Sequence, residues 1–253
     1  MKKVLVFDQD DTINSGSKQN IDAEVGKLFV ELLGKYELCI VTGTDWETVK
    51  RVNPDQLVGI TDEKMSHLHV MPTTGTQYWK FIGGEWQRQY AHFFEPEVAQ
   101  KVMDLLEAAA KKLGYWVELG DDDVIISNRG SQITYSAIGQ WADPVAKKAW
   151  DPDHKKRSAI IAEIKPSLDK FGLVANYGGS TSVDVAMPGI DKAYAVKELM
   201  AANNFAREEV LFIGDMLEPG GNDYPVKEFG VDCIPVKDCN DTAMILRGIL
   251  AVS

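Results

Sequence analysis

The sequence predicts an α/β fold on a parallel sheet, interrupted by an inserted α+β module. Three observations carry this. In the first fifty residues short apolar runs alternate with segments of helical period, the order that builds a parallel sheet through right-handed crossovers. From about residue 73 the alternation gives way to strand pairs around Gly-Gly. Past residue 186 it returns, and "VLFIGD" (210–215) repeats the opening "VLVFD" (4–8), an apolar run ending in Asp.

Taken in order, Val4–Phe7 is a continuous run of β-formers, the pattern of a strand buried on both faces. Ile21, Val25, Leu28, Phe29 and Leu32 fall at helical spacing, and Gly34 suits the helix end. "LCIVTGT" (38–44) is a second buried strand, with a helix from Asp45 to Val52. "TTGTQYWKFIGGEWQRQY" (73–90) reads as a hairpin with a Gly-Gly turn. A helix follows over 96–113, then a strand-rich stretch over 115–138, a helix over 153–171 and two strands about Gly-Gly over 173–187. A helix over 191–202, the strand 210–215, a strand over 232–236 and a helix over 242–250 complete the chain. The expected division is a core of residues 1–90 and 186–253, with an α+β module over 91–185.

Composition narrows the function. With 253 residues, 45% hydrophobic and 26% charged, the chain matches ordinary globular proteins, which excludes disordered and fibrous classes. A formal net charge of −11 without a Lys/Arg run argues against nucleic-acid or anionic-membrane partners, so any phosphate must be held locally. The apolar run of "MKKVLVF" stops after four residues, too short for a secretory signal, and no segment approaches the 18 apolar residues of a membrane span. Cys39, Cys233 and Cys239 lack metal-ligand spacing and fit a reducing cytoplasm.

The carboxylates carry the chemistry. Ligands of open parallel sheets bind beyond the carboxyl ends of the strands. Asp8 and Asp10 follow the first strand, Thr42 the second and Asp215 a late one, so they are expected to converge on one edge. Like charges crowded there need a cation or a shared proton, and an oxygen-liganded Mg²⁺ is the simplest answer. A solvated loop explains any one of these residues alone, but not the conjunction.

That conjunction, "DQDDT", "VTGT", Lys192 opening a helix and "GDMLEPGGND" in this order, resembles the haloacid dehalogenase superfamily of aspartate-nucleophile phosphotransferases. "NRGSQITYSAIG" (128–139), "GGSTSVDV" (178–185) and the Pro-Gly-Gly-Asn-Asp run (219–223) are similar to motifs of the eukaryotic-type phosphomannomutases. The resemblance implies a Rossmann-like core bearing an inserted cap. It also implies a covalent mechanism with Asp8 as nucleophile and Asp10 as acid and base. Thr42 and Lys192 would hold the phosphoryl group and its charge. Mg²⁺ would be held by Asp8, the Asp10 carbonyl and Asp215, with Asn222 and Asp223 in support. The cap would choose a small phosphorylated sugar, Arg129 taking phosphate and Ser182 and Asp184 taking hydroxyls, and could mediate a homodimer. Asp11 stands where the family usually has glycine.

Two departures bear on the reaction. Lys18 replaces a family Arg in the core, keeping charge but losing the bidentate fork, and Gln140 replaces a cap Arg outright. Lys147 or Lys148 can meet a third basic position. A phosphomannomutase and a sugar-phosphate phosphatase therefore both remain open, with a disabled binding module as a remote third. His67-x-His69 suggests a metal pair on spacing, but the alternation in a short polar stretch predicts exposed side chains. Trp79, Trp86, Trp116, Trp141 and Trp150 are expected in packing rather than in stacking on a sugar.

Overall fold

The short apolar runs at both ends of the chain become adjacent strands of one sheet. The structure, a computed structural model, describes residues 1–15, 19–120, 123–140 and 142–253, so Lys18 and Trp141 lie outside the described residues. It divides into two compact units, one of Met1–Ala91 with Ile190–Ser253 and one of His92–Gly189.

The first unit runs β1 (Val4–Phe7), α1 (Ala23–Leu32), β2 (Glu37–Val41), α2 (Trp46–Val52), α3 (Asp62–Met65), β3 (Leu68–Met71), β4 (Gln77–Ile82) and β5 (Glu85–Ala91). The second contains α4 (Pro96–Lys112), β6 (Ile126–Asn128), β7 (Ile133–Ser136), α5 (Pro144–Trp150), α6 (Lys155–Leu168), β8 (Val174–Tyr177) and β9 (Ser182–Ala186). The chain then returns to the first unit with α7 (Lys192–Asn203), β10 (Val210–Gly214), α8 (Tyr224–Glu228), β11 (Asp232–Pro235) and α9 (Cys239–Val252).

Seven strands of the first unit lie in the order β11-β10-β1-β2-β3-β4-β5. The first five of that order are parallel and the β4–β5 hairpin is antiparallel. Alternation along β1 buries both faces: Leu5 and Phe7 pack with α1 and α9 residues such as Phe29 and Leu246, while Val4 and Val6 pack with Val196 and Leu199 of α7. Asp22 starts α1 by accepting the N–H groups of Glu24 and Val25. The hairpin seats Trp79, Phe81 and Trp86 on the first of these clusters and Tyr78 and Tyr90 on the second, with Trp46 stacked on Trp79 at 4.0 Å and edge-on to Trp86.

The second unit closes its own core. Its sheet has the order β6-β7-β9-β8, all antiparallel. Ile133, Tyr135, Val183 and Val185 pack against Val102 and Leu106 of α4 and Ile160 and Ile164 of α6. Trp116 and Trp150 pack around the same cluster.

Several expectations need correction. The histidine pair 67/69 does not lie in an exposed polar stretch: residues 68–71 form β3, an interior strand of the sheet, and His69 within it is buried rather than exposed. Its Nε2 lies 2.8 Å from Glu37 Oε2 and its Nδ1 2.7 Å from the Tyr78 hydroxyl, while His67 Nδ1 lies 2.7 Å from Glu37 Oε1. Glu37 on β2 thus satisfies both rings. Thr73 to Gly75 form a 3-10 turn instead of opening the hairpin strand. Among the described residues the stretch 115–138 yields only β6 and β7, and the helix α5 adds to the expected elements.

Candidate active site

The site begins where three adjacent strands end. Asp8 directly follows β1, Thr42 follows β2 and Asp215 follows β10, and the Asp8 N–H bonds the Ile213 carbonyl at 3.0 Å. Lys192 opens α7, whose N-cap Asp191 accepts the Tyr194 N–H. Packing of α7 on the Val4/Val6 side of the sheet brings Lys192 to Asp8.

Lys192 is the electrostatic centre. Its Nζ lies 2.5 Å from Asp8 Oδ1 and 2.5 Å from Asp223 Oδ1. Asp8 is 5% exposed and Lys192 3%, so these charges meet almost out of water. Burial alone would pull the lysine down, but Asp8 and Asp223 outweigh it and hold the ammonium above its ordinary value. Asp223 is anchored on its other side, where Oδ2 accepts the Met216 N–H at 3.0 Å. That approach requires Gly214, because a Cβ there would lie 2.3 Å from Asp223 Oδ2.

The carboxylates are strongly perturbed. Burial pushes Asp8 up to about 7 against the pull of Lys192, with Asp223 adding to the rise. Burial, then the charge of Asp8, likewise raises Asp10 to about 7. Asp215, half-buried, is also raised, first by burial and then by Asp223. Carboxylate oxygens of Asp8, Asp215 and Asp223 lie within 4.8 Å of one another. Among the described residues, four carboxylates with Lys192 drawn among them make an all-oxygen, electron-rich setting that fits a hard divalent cation. Both oxygens of Asp223 are already engaged, by Lys192 and the Met216 N–H, which leaves Asp8 and Asp215 as the more available donors.

Other residues support this edge. Thr42 is buried, and its Oγ1 accepts the Thr44 N–H at 3.0 Å. The Thr74 N–H holds the Thr42 carbonyl at 2.8 Å. Asp11 is exposed with φ of 55°, the left-handed region that glycine favours and Asp tolerates better than most residues. Asn222 is exposed beside Asp223. Gln9 was not anticipated: it is buried, and its Nε2 donates to Asp10 Oδ1 at 3.2 Å. A polar residue between two aspartates of an apolar strand end was the available signal.

The remaining expected residues lie in the second unit. Ser182 and Asp184 share one face of β9, with Val183 and Val185 buried on the other. Thr134 pairs with Asp184 across the sheet and donates to its Oδ1 at 2.7 Å, and Ser136 pairs with Ser182, their hydroxyls 3.4 Å apart. Asp184 is raised by burial, a rise opposed by the Arg129 charge and by hydrogen bonds from Thr134 and Gln132. Arg129 sits in the turn joining β6 to β7, where its N–H bonds the Gln132 carbonyl. Lys147 Nζ donates to the Gln140 carbonyl at 2.8 Å, and burial lowers its pKa. These residues form two groups, one around Asp184 and one around Gln140.

Comparison with known proteins agrees with the fold. The family described as eukaryotic phosphomannomutase matches residues 25–252, a span that begins after Asp8 and Asp10. A probable phosphomannomutase of Caenorhabditis elegans is 25% identical over 235 residues, 89% of this chain and 86% of that protein. The phosphomannomutase of Encephalitozoon cuniculi is 27% identical over 228 residues, 89% of this chain and 84% of that protein. A haloacid dehalogenase-like hydrolase from Bacteroides thetaiotaomicron shares the fold, with a TM-score of 0.66 at 17% identity over 98% of this chain and 100% of its own.

Proposed function

We propose, because the chain belongs to the eukaryotic phosphomannomutase family, that it moves a phosphoryl group on a hexose phosphate through an aspartyl-phosphate. The observation that carries this reading is the buried Asp8, paired with Lys192 at 2.5 Å at the strand ends and two residues from a second carboxyl, Asp10.

In this reading Asp8 attacks phosphorus. A bond forms from its carboxylate oxygen to phosphorus while the bond from phosphorus to the sugar oxygen breaks, and Asp10 gives that oxygen a proton. In the second half Asp10 takes a proton from the accepting hydroxyl as the aspartyl bond breaks. A pKa near neutrality suits a group that must serve both ways. Lys192, held by Asp223, balances charge as it moves from the carboxylate to the phosphoryl oxygens, and Thr42 hydrogen-bonds those oxygens. Asp8, the Asp10 carbonyl and Asp215 are the proposed holders of Mg²⁺, with Asn222 and Asp223 behind them. When bound, the ion offsets the repulsion between carboxylate and phosphate.

The unit 92–189 serves as the substrate-choosing cap, with Arg129 and Lys147 toward phosphate and Ser182 and Asp184 toward sugar hydroxyls. Lys18 has the corresponding phosphate role in the core. A homodimer through this unit and a cytoplasmic setting, which suits the free thiols Cys39, Cys233 and Cys239, belong to the same reading. Among the described residues no helix is long and apolar enough to cross a membrane.

A phosphatase is the second reading, favoured by Gln140 standing where the family places a cap Arg. The Lys147 ammonium donates to its carbonyl, so this positive charge reaches the Gln140 backbone and not its amide side chain. Incubation with mannose 1-phosphate, with and without a hexose bisphosphate, followed by phosphorus NMR, separates the two. The expected product is mannose 6-phosphate. Free phosphate without it would overturn the mutase reading in favour of hydrolysis. Asp8→Asn is expected to abolish either turnover with the fold retained, and undiminished turnover would remove Asp8 as nucleophile.

A further inference from the structure

The second unit contains a buried ion pair that the chemistry above does not use. Arg157 of α6 and Asp151, just past α5, are both buried, and Arg157 Nε donates to Asp151 Oδ2 at 2.8 Å. The carboxylate also accepts the N–H groups of Lys156, at 2.9 Å, and Arg157, at 3.2 Å. The pair is therefore fixed from both sides.

Its reach extends beyond the helix. The remaining fork of the guanidinium turns to the β8–β9 connection, where Nη1 donates to the Gly179 carbonyl at 2.5 Å and to the Gly178 carbonyl at 3.3 Å. The guanidinium also stands 5.3 Å from the Tyr177 ring centroid, and Tyr177 OH lies 2.8 Å from Ser158 Oγ. A turn rich in Gly and Ser, "GGST", costs more conformational entropy to order than other sequences, and here a buried cation fastens its first two carbonyls.

The fastened turn lies directly against the residues read above as gripping the sugar. A Cβ on Gly178 would stand 2.7 Å from Asp184 Oδ2 and 2.8 Å from Ser182 Cβ, and the Gly178 N–H bonds the Ser182 carbonyl at 2.9 Å. Movement of Gly178 therefore moves Ser182 and crowds Asp184.

We infer that Arg157 is a positioning residue for sugar recognition: anchored by Asp151, its guanidinium holds the 178–181 turn so that Ser182 and Asp184 keep the spacing a hexose ring requires. The inference rests on the reading of Ser182 and Asp184 as sugar contacts. Placement of polar groups matters at this scale, because shifts of about 1 Å can change rates by about a hundredfold. Lysine cannot replace the fork. An ammonium can keep the charge pair with Asp151, but it lacks the planar array that bonds a carboxylate on one side and two carbonyls on the other.

Arg157→Lys is therefore the informative variant, since it leaves Asp151 with a cation while freeing the turn. Its KM for mannose 1-phosphate is expected to rise about tenfold, with turnover of p-nitrophenyl phosphate, which has no hexose to grip, unchanged. Arg157→Gln, with no charge, is expected to show the same split more strongly, with thermal unfolding separating loss of fold from loss of grip. Asp184→Asn supplies the control for the underlying reading. If Asp184→Asn raises KM for the sugar phosphate and a folded Arg157→Lys does not, the positioning role is overturned and the sugar contact stands. If neither variant changes KM, both are overturned. Equal losses on the two substrates would also overturn the inference, because a general structural role moves them together.

Discussion

At the scale of single residues, the described part of the site crowds more carboxylates than Lys192 can balance. Burial in the fold pushes Asp8 and Asp10 from the ordinary 3.8 up to about 7. Between those values the fold holds protons that the unfolded chain has released, so their stabilising effect is present at the acid end and lost as pH rises through about 7. A cation must displace those protons below 7 and need not above it. Millimolar Mg²⁺ is therefore expected to raise the melting temperature more at about pH 8 than at about pH 5.5. Scanning calorimetry at the two pH values checks this, and a shift larger at the acid value would exclude these carboxylates as the ion's holders. The positions of Asp8, Thr42 and Asp215 could be read in the sequence because each follows an apolar run directly, and strand ends are where parallel sheets present their chemistry. Gln9 is marked only as a polar residue between two aspartates; that its amide donates to Asp10 Oδ1 is something no spacing rule encodes.

At the scale of elements, the missed strand is the instructive one. β3 reads "LHVM" after "SH", and the two histidines of "SHLH" disguise a fully buried interior strand. The disguise works because His69 is paid for by partners on other elements: Glu37 on β2, Tyr78 on β4 and, through Tyr78, Asn203 at the end of α7. The consistent assignment has His69 neutral, donating from Nε2 to Glu37 and accepting the Tyr78 hydroxyl at Nδ1. Burial holds its pKa below the ordinary value, so an unfolded His69 takes up a proton that the folded one refuses. Its effect on stability is lost as pH falls below about 6.5, by at most about 1.4 kcal/mol per pH unit. Tyr78→Phe strips both His69 Nδ1 and Asn203 of a partner, with an expected cost of about 1–3 kcal/mol in urea unfolding. Turnover should be little altered, since Asp8 and Lys192 do not touch this network. A cost near zero would mean that the buried imidazole does not depend on the hydroxyl. The helix α5 escaped notice for a related reason: "DPVAKKAW" offers only seven helical residues, too few for a periodic pattern to declare itself.

At the scale of the whole molecule, the fold class was legible because it depends on patterns repeated over many residues, while the division into units is a matter of which residues share a core. Phe7, Phe29 and Leu246 belong to one buried cluster, Val6 and Leu199 to another across the same sheet, and Tyr135, Val183 and Ile160 to a third confined to 92–189. No buried residue named in the third cluster comes from the first unit, so each unit has the means to unfold around its own core. Two cooperative units in one chain break two-state behaviour. The calorimetric enthalpy is expected to exceed the van't Hoff enthalpy, and Mg²⁺ should raise the transition of one unit alone, because Asp8, Asp10 and Asp215 all lie in the first. Tryptophan distribution makes this readable. Trp46, Trp79 and Trp86 report the first unit and Trp116 and Trp150 the second. In a protein retaining only the first set, the fluorescence transition should move with Mg²⁺; in one retaining only the second, it should stay. A single transition of equal enthalpies, moved by Mg²⁺ in both proteins alike, would mean that the two cores fold as one.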